Sequence, residues 1–118
     1  MVQPVAPEVP KWVLHTLNHL YEIERKLAAQ GDSASIGRNV ERIKDSLLAE
    51  GIFYEDPMGQ SFSETRTDLD ASISGEGTEN LVVAEVVKPI IRLGRPDFSR
   101  VIQKGIVVVK SKEEGPAQ

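Results

Sequence analysis

Two long β-prone runs, Leu81 to Leu93 and Arg100 to Lys110, flank the segment Gly94-Arg95-Pro96-Asp97. This arrangement constrains the second half of the chain more than any other feature. Gly and Pro clustered between two β-branched runs signal a chain reversal. The pattern therefore predicts an antiparallel hairpin over about 81–110, turning at Gly94–Asp97. Pro89 interrupts the first run. It has no N–H to give to a ladder, so it marks an edge or a bulge.

Upstream, the hydrophobic period lengthens to that of a helix. Over residues 11–30, Leu14, Leu17, Tyr21 and Leu27 fall near one stripe, and Val13, Leu20 and Ile23 widen it. Pro10 suits the first turn, and Gly31 suits the stop. Ser33 or Ser35 is placed to cap a second helix over about 35–50. Its stripe is Ile36, Val40, Ile43 and Leu47, with Leu48 beside it; Arg38, Glu41, Arg42, Lys44 and Asp45 form the solvated side. Gly51 ends this helix, and Ile52 is expected to fold back onto Leu47. A short loop between two amphipathic helices favours an antiparallel helical hairpin.

After Gly51, Ile52-Phe53-Tyr54 is short and β-prone, and Asp56-Pro57-Met58-Gly59 reads as a turn. Residues 60–80 are polar, with one short strand expected near Ala71–Ile73. The expected organisation is thus a Pro-rich leader (1–10, with Pro4, Pro7 and Pro10), a helical hairpin (11–51), a small β-domain (52–112) and a disordered tail (113–118). Helices segregated from strands imply an α+β fold. Two helices with faces this broad need more apolar partners than each other. A homodimer joining four helices in a bundle would supply them, with Leu14, Leu17, Tyr21, Val40, Ile43 and Leu47 at the dimerisation face.

Composition narrows the function classes. Only 5% of residues are aromatic, so the core is mainly aliphatic. There is no cysteine, which excludes disulfides and thiolate metal sites. The net charge of −4 argues against nucleic acid as the main ligand, because phosphate binding needs a basic face. No apolar run approaches a membrane span, and the N-terminus lacks a signal-peptide pattern, so a cytoplasmic protein is expected.

Candidate chemical sites are weak. His15 and His19 lie one helical turn apart, but no third ligand is evident. Asp68, Asp70, Ser72 and Glu79 have calcium-loop spacing, yet Ile73 stands where the loop needs glycine. Gly75-Glu76-Gly77 lacks the Lys-Ser/Thr and the strand-to-helix setting of a phosphate cradle. No acid, base and nucleophile converge. The expectation is a non-catalytic protein without metal or cofactor. Arg92, Arg95, Arg100 and Lys104 set positive charge on the hairpin of an acidic chain. These charges protect an edge strand or face an acidic partner. Phe98, in the turn, is the natural apolar anchor, or it folds back onto the sheet.

Several segments together resemble the GrpE family of nucleotide exchange factors, over about residues 11–112. They are Leu47-Leu48-Ala49-Glu50-Gly51-Ile52, Asp56-Pro57-Met58-Gly59-Gln60-Ser61-Phe62, Val82-Val83-Ala84-Glu85-Val86-Val87-Lys88, and the closing strand Arg100 to Val109. Where the family has Lys-Gly-Tyr, this chain has Lys88-Pro89-Ile90. The resemblance implies a homodimeric co-chaperone with a helical bundle and a small β-domain. That domain would grip the ATPase domain of a DnaK-type chaperone and open its nucleotide cleft, so that ADP leaves. Matching the family's strands implies a grip at Val86, Lys88 and Arg100. Composition of the turn adds Arg95 and Phe98. The competing expectation is a dimeric adaptor that uses the hairpin edge to join another assembly.

Overall fold

The computed structural model describes residues 9–31 and 34–112. Most of the expected leader, the Ser33 cap, the Ser35 side chain and the tail 113–118 lie outside the described residues. The chain forms α1 (Lys11–Gln30), α2 (Ala34–Ala49), β1 (Ile52–Glu55), β2 (Leu69–Ile73), β3 (Leu81–Lys88), β4 (Ile90–Arg95), β5 (Phe98–Gln103) and β6 (Gly105–Ser111). The fold is α+β. One three-stranded sheet has the order β1-β4-β5, and the other has the order β2-β6-β3.

The expected hairpin is present, but it is shared between the two sheets. Near the turn, β4 and β5 pair antiparallel, with Arg95 opposite Phe98 and Leu93 opposite Arg100. Farther from the turn, β3 and β6 continue the antiparallel pairing from Lys88 opposite Ile106 to Leu81 opposite Ser111. Only Pro89 separates β3 from β4, and only Lys104 separates β5 from β6. The run 81–93 is therefore two strands rather than one. Pro89 is fully buried and offers no N–H, so the ladder breaks there and the ribbon turns from one sheet into the other. At the tip, Gly94 has φ +135°, and a Cβ there would stand 2.6 Å from the Phe98 carbonyl oxygen. Only glycine fits this turn.

The remaining strands close the sheets. β1 pairs antiparallel with β4, and β2 pairs in parallel with β6. The outer edge of β3 is covered by the turn after β1. Val83 receives a hydrogen bond from Gly59 N–H at 3.0 Å and donates to Gln60 O at 2.9 Å, and Phe62 N–H donates to Leu81 O at 2.9 Å. Arg25 of α1 reaches across to the Val86 carbonyl at 2.8 Å. An edge blocked in this way cannot recruit another strand.

The helices pack on each other and on the sheets. The α1 stripe lies on the sheets, where Leu17 is 1% and Tyr21 4% exposed. Val13, Leu17 and Leu20 pack with Val40 of α2 and Ile91 of β4. Tyr21 belongs to a second cluster with Leu69, Val83, Val86, Ile90, Val107 and Val109. The expected dimerisation residues Leu17, Tyr21 and Val40 are thus buried inside the chain. Leu14 and Leu47 are half-buried against the same core, and only Ile43 is exposed. The helical stripe predicts the buried face of α1 correctly, but that face is covered by the chain's own α2 and sheets. Ile36, Ile43 and Leu48 leave α2 with exposed apolar residues.

The corner at Pro89 is the tightest point. A Cβ on Gly105 would lie 2.8 Å from Leu69 Cδ2 and 3.0 Å from Ile90 Cγ1. Gly105→Ala should therefore destabilise the protein by about 1–3 kcal/mol, the usual range for overpacking a close-packed interior. Urea unfolding checks this. An unchanged midpoint would show that the corner has room to spare.

Candidate functional site

The β4–β5 tip presents side chains that the fold does not use. Phe98 is 82% exposed, an unusual state for a large aromatic residue. Arg95 is exposed, and its guanidinium lies 3.6 Å from the Asp97 carboxylate. Arg100 is exposed two residues beyond Phe98 on β5. These three therefore stand together at the free end of the ribbon. Lys88 is also exposed, but it ends β3 in the other sheet, on the far side of the Pro89 corner. Roughly 15–20 Å of strand separates it from the pair Leu93–Arg100 at about 3.3 Å per residue.

Val86 does not belong to a contact surface. It is 3% exposed and packs in the core, while its carbonyl accepts from Arg25. The ladder explains the discrepancy. Register shifts between Val83 and Glu85 and again between Val86 and Lys88 mark bulges. A bulge changes the parity of inward and outward positions, so Val86 faces the same core as Val83. Arg92 and Lys104, both counted as hairpin charge, also have partners. Arg92 is paired with Glu55 at 2.9 Å and Asp68 at 3.1 Å, and Lys104 lies 3.8 Å from Asp70.

Two polar clusters hold this platform. In the first, Arg66 donates to both Asp68 carboxylate oxygens at 3.0 and 2.9 Å, and to Gln60 Oε1 at 3.0 Å. Arg92 joins Asp68 from β4, so the network ties the entry to β2 to the other sheet. Hydrogen bonding from Arg66 is the main reason that the Asp68 carboxyl sits below its ordinary range. In the second cluster, Tyr21 and Tyr54 meet edge to face with centroids 5.7 Å apart. Tyr21 Oη donates to Asp56 at 3.2 Å, and burial together with that carboxylate pushes its phenol up to about 12. Tyr54 Oη donates to Glu24, and Lys44 of α2 contacts the same carboxylate at 3.1 Å. Burial raises the Glu24 carboxyl, but the Tyr54 and Lys44 hydrogen bonds outweigh it and leave it below the ordinary value. Each cluster joins residues distant in sequence, such as Asp68 with Arg92 and Glu24 with Tyr54, which no local pattern announces.

The other candidates find no site. His15 and His19 are exposed on α1, and no group of three or more metal-ligating side chains occurs among the described residues. The Asp68–Glu79 stretch is not a continuous loop, because strand β2 runs through it and Asp68 is held by Arg66. Among the described residues, no helix is long and apolar enough to cross a membrane. Comparison with known protein families, curated proteins and solved structures finds no match to this chain.

A carboxylate whose folded pKa is depressed adds stability above its unfolded value, and that contribution is lost as pH falls through the folded value. Asp68 should therefore stabilise the fold fully above about pH 5 and progressively less below about pH 4, given an ordinary carboxyl value near 3.9. Asp68→Asn should destabilise the protein at pH 7 and flatten its acid limb. Thermal melts between pH 7 and pH 3 check this. Parallel acid limbs for both proteins would remove Asp68 from the account.

Proposed function

We propose that this chain is a GrpE-like co-chaperone that binds the ATPase domain of a DnaK-type chaperone in the cytoplasm and promotes ADP release without catalytic chemistry of its own. The observation that carries this reading is the tip of the ribbon. Arg95, Phe98 and Arg100 stand exposed at the end of a ribbon whose strands run back into a closed core. An aromatic anchor flanked by arginines is the composition of an interface hot spot. A rigid tip can act as a wedge. If it binds the open nucleotide cleft better than the closed one, the open population rises, and linkage weakens nucleotide binding by the same factor.

The protein works as a homodimer in this reading. With the α1 stripe covered by the sheets, the dimer contact falls to the exposed α2 residues Ile36 and Ile43, which lie two turns apart on one face. Ile43→Asp should yield monomers by light scattering while helicity is kept.

Release of labelled ADP from a DnaK-type chaperone tests the reading directly. The unmodified chain should accelerate it. Arg100→Ala should weaken chaperone binding about tenfold, as for a desolvated interface arginine. Glu22→Ala, on the exposed side of α1, is the control and should bind as the unmodified chain does. If Arg100→Ala binds equally well, the tip is not the grip. If no DnaK-type chaperone binds the unmodified chain, the exchange reading falls and the adaptor reading replaces it.

A further inference from the structure

Strand β5 is paired on one side only. Its inner side meets β4, and no strand of the sheet lies beyond it. The register tells which of its backbone groups are spare. Arg95 and Phe98 flank the turn Pro96-Asp97, and the closing pair of so tight a hairpin exchanges both main-chain hydrogen bonds. Alternation then leaves Gly94–Ser99 and Arg92–Val101 as non-hydrogen-bonded pairs, with Leu93–Arg100 bonded between them. Gly94 confirms this parity, because its N–H points away from β5 and donates to the Gly51 carbonyl at 2.7 Å. The N–H and C=O of Ser99 and Val101 therefore point outward. Among the described residues, no turn or side chain pairs with them. The outer edge of β3 is covered by the turn at 59–62; that of β5 has no such cover.

The side chains beside this edge differ on its two faces. Arg100 is exposed and has no ion-pair partner among the described residues. A strand laid along β5 would face Arg100 in a non-hydrogen-bonded position, where opposing side chains stand closest. On the other face Gly94 and Ser99 offer little side chain, and a cleft of about 590 Å³ opens there. Phe53, Arg92, Pro96, Phe98 and Ser99 line it, among others. A partner residue opposite Ser99 projects onto that same face, so its side chain reaches the cleft. Alternate side chains of an added strand would thus meet a cation on one face and a cleft on the other. Strand addition at a sheet edge works in this way: main-chain bonds hold the segment and alternate side chains select it.

We infer that the outer edge of β5 takes up an extended segment of a partner protein as an added antiparallel strand, bonded to Ser99 and Val101, with an acidic side chain against Arg100 and a large apolar side chain in the cleft beside Ser99. Antiparallel pairing is the more stable per residue. Charge selects the occupant. The register that uses both spare residues of two β5 strands sets Arg100 opposite Arg100 of the second copy, and like charges directly opposite are destabilising. A carboxylate at that position gains what the second copy loses. The inference rests on the proposed grip for its choice of the tip, and adds how the tip holds its partner.

Titration of the isotope-labelled protein with the capped heptapeptide STVEFTS, followed by amide NMR, tests it. In the antiparallel register the peptide's glutamate lies opposite Arg100 and its phenylalanine opposite Ser99. The amide signals of Ser99 and Val101 should shift saturably. N-methylation of the peptide's phenylalanine removes the N–H that meets the Ser99 carbonyl, and should weaken binding about fivefold or more. Lysine in place of the glutamate should weaken it about threefold, and added salt should weaken the glutamate peptide. Arg100→Glu should reverse the preference between the two peptides. Ser99→Pro removes an outward N–H without touching the β4 ladder, and should weaken binding about fivefold. Glu22→Ala should bind as the unmodified chain does. Circular dichroism confirms that each variant is folded. No saturable shift at Ser99 and Val101, equal binding of the N-methylated peptide, or an unreversed preference in Arg100→Glu would overturn the proposal. So would a dimer in sedimentation that Ser99→Pro abolishes, because a second copy would then occupy the edge. If the peptide binds as described but ADP release is not accelerated, the edge stands and the exchange reading falls. If Ser99→Pro accelerates ADP release as well as the unmodified chain, the edge falls and the exchange reading stands.

Discussion

The fold depends on a corner that contains a buried proline. Pro89 cannot continue a ladder, and its neighbours Ile90 and Ile91 are fully buried. The ribbon must therefore leave one sheet and enter the other at this point. Its partner strand follows at Lys104–Gly105, where the absence of a side chain on Gly105 lets Leu69 and Ile90 close in. Helix α1 locks the corner from outside. Asn18 and Gln103 exchange two side-chain hydrogen bonds, at 3.1 and 3.0 Å, and Gln103 also donates to the Pro89 carbonyl at 3.1 Å. That carbonyl would otherwise be an unpaired acceptor in a buried place, which costs free energy.

One consequence is mechanical. The tip bearing Arg95, Phe98 and Arg100 is not a free hairpin on a tether. Its strands β4 and β5 are held by β1 on one side and run through the corner into β3 and β6. The Arg66–Asp68–Arg92–Glu55 network crosses from one sheet to the other and resists their sliding. A ligand that pushes on the tip therefore pushes on the whole core. Such a tip can transmit force to a partner, as a wedge must.

Much of this architecture was legible in the sequence because its signals are local. Gly94-Arg95-Pro96-Asp97 announces its turn, the stripe on residues 11–30 announces the buried face of α1, and the expected strand near Ala71–Ile73 is β2. The misreadings share a cause. The hydrophobic period reports which face of α1 is buried, but not what covers it, so Leu17 and Tyr21 were assigned to a second chain. Pro89 marks an interruption, yet nothing local distinguishes a bulge from a change of sheet. The family resemblance that implies a grip at Val86 carries no information on the bulges that turn this side chain into the core. The ion pairs are assembled from β1, the helices, the 60–68 loop and the ribbon, whose proximity is a product of the tertiary fold. The charge at Arg95 and Arg100 was legible; whether Phe98 stood out or folded onto the sheet, and the separation of Lys88 from the tip, were not.

If the corner couples both sheets and α1 into one cooperative body, native-state hydrogen exchange measures that coupling most directly. Amides of β4, of β6 and of the α1 segment around Asn18 should open with the same, global free energy, and their exchange should respond identically to low concentrations of urea. If the sheet containing β4 and β5 opened together with α1 at a distinctly lower free energy, while β3 and β6 kept full protection, the corner would be a hinge and the account would be contradicted.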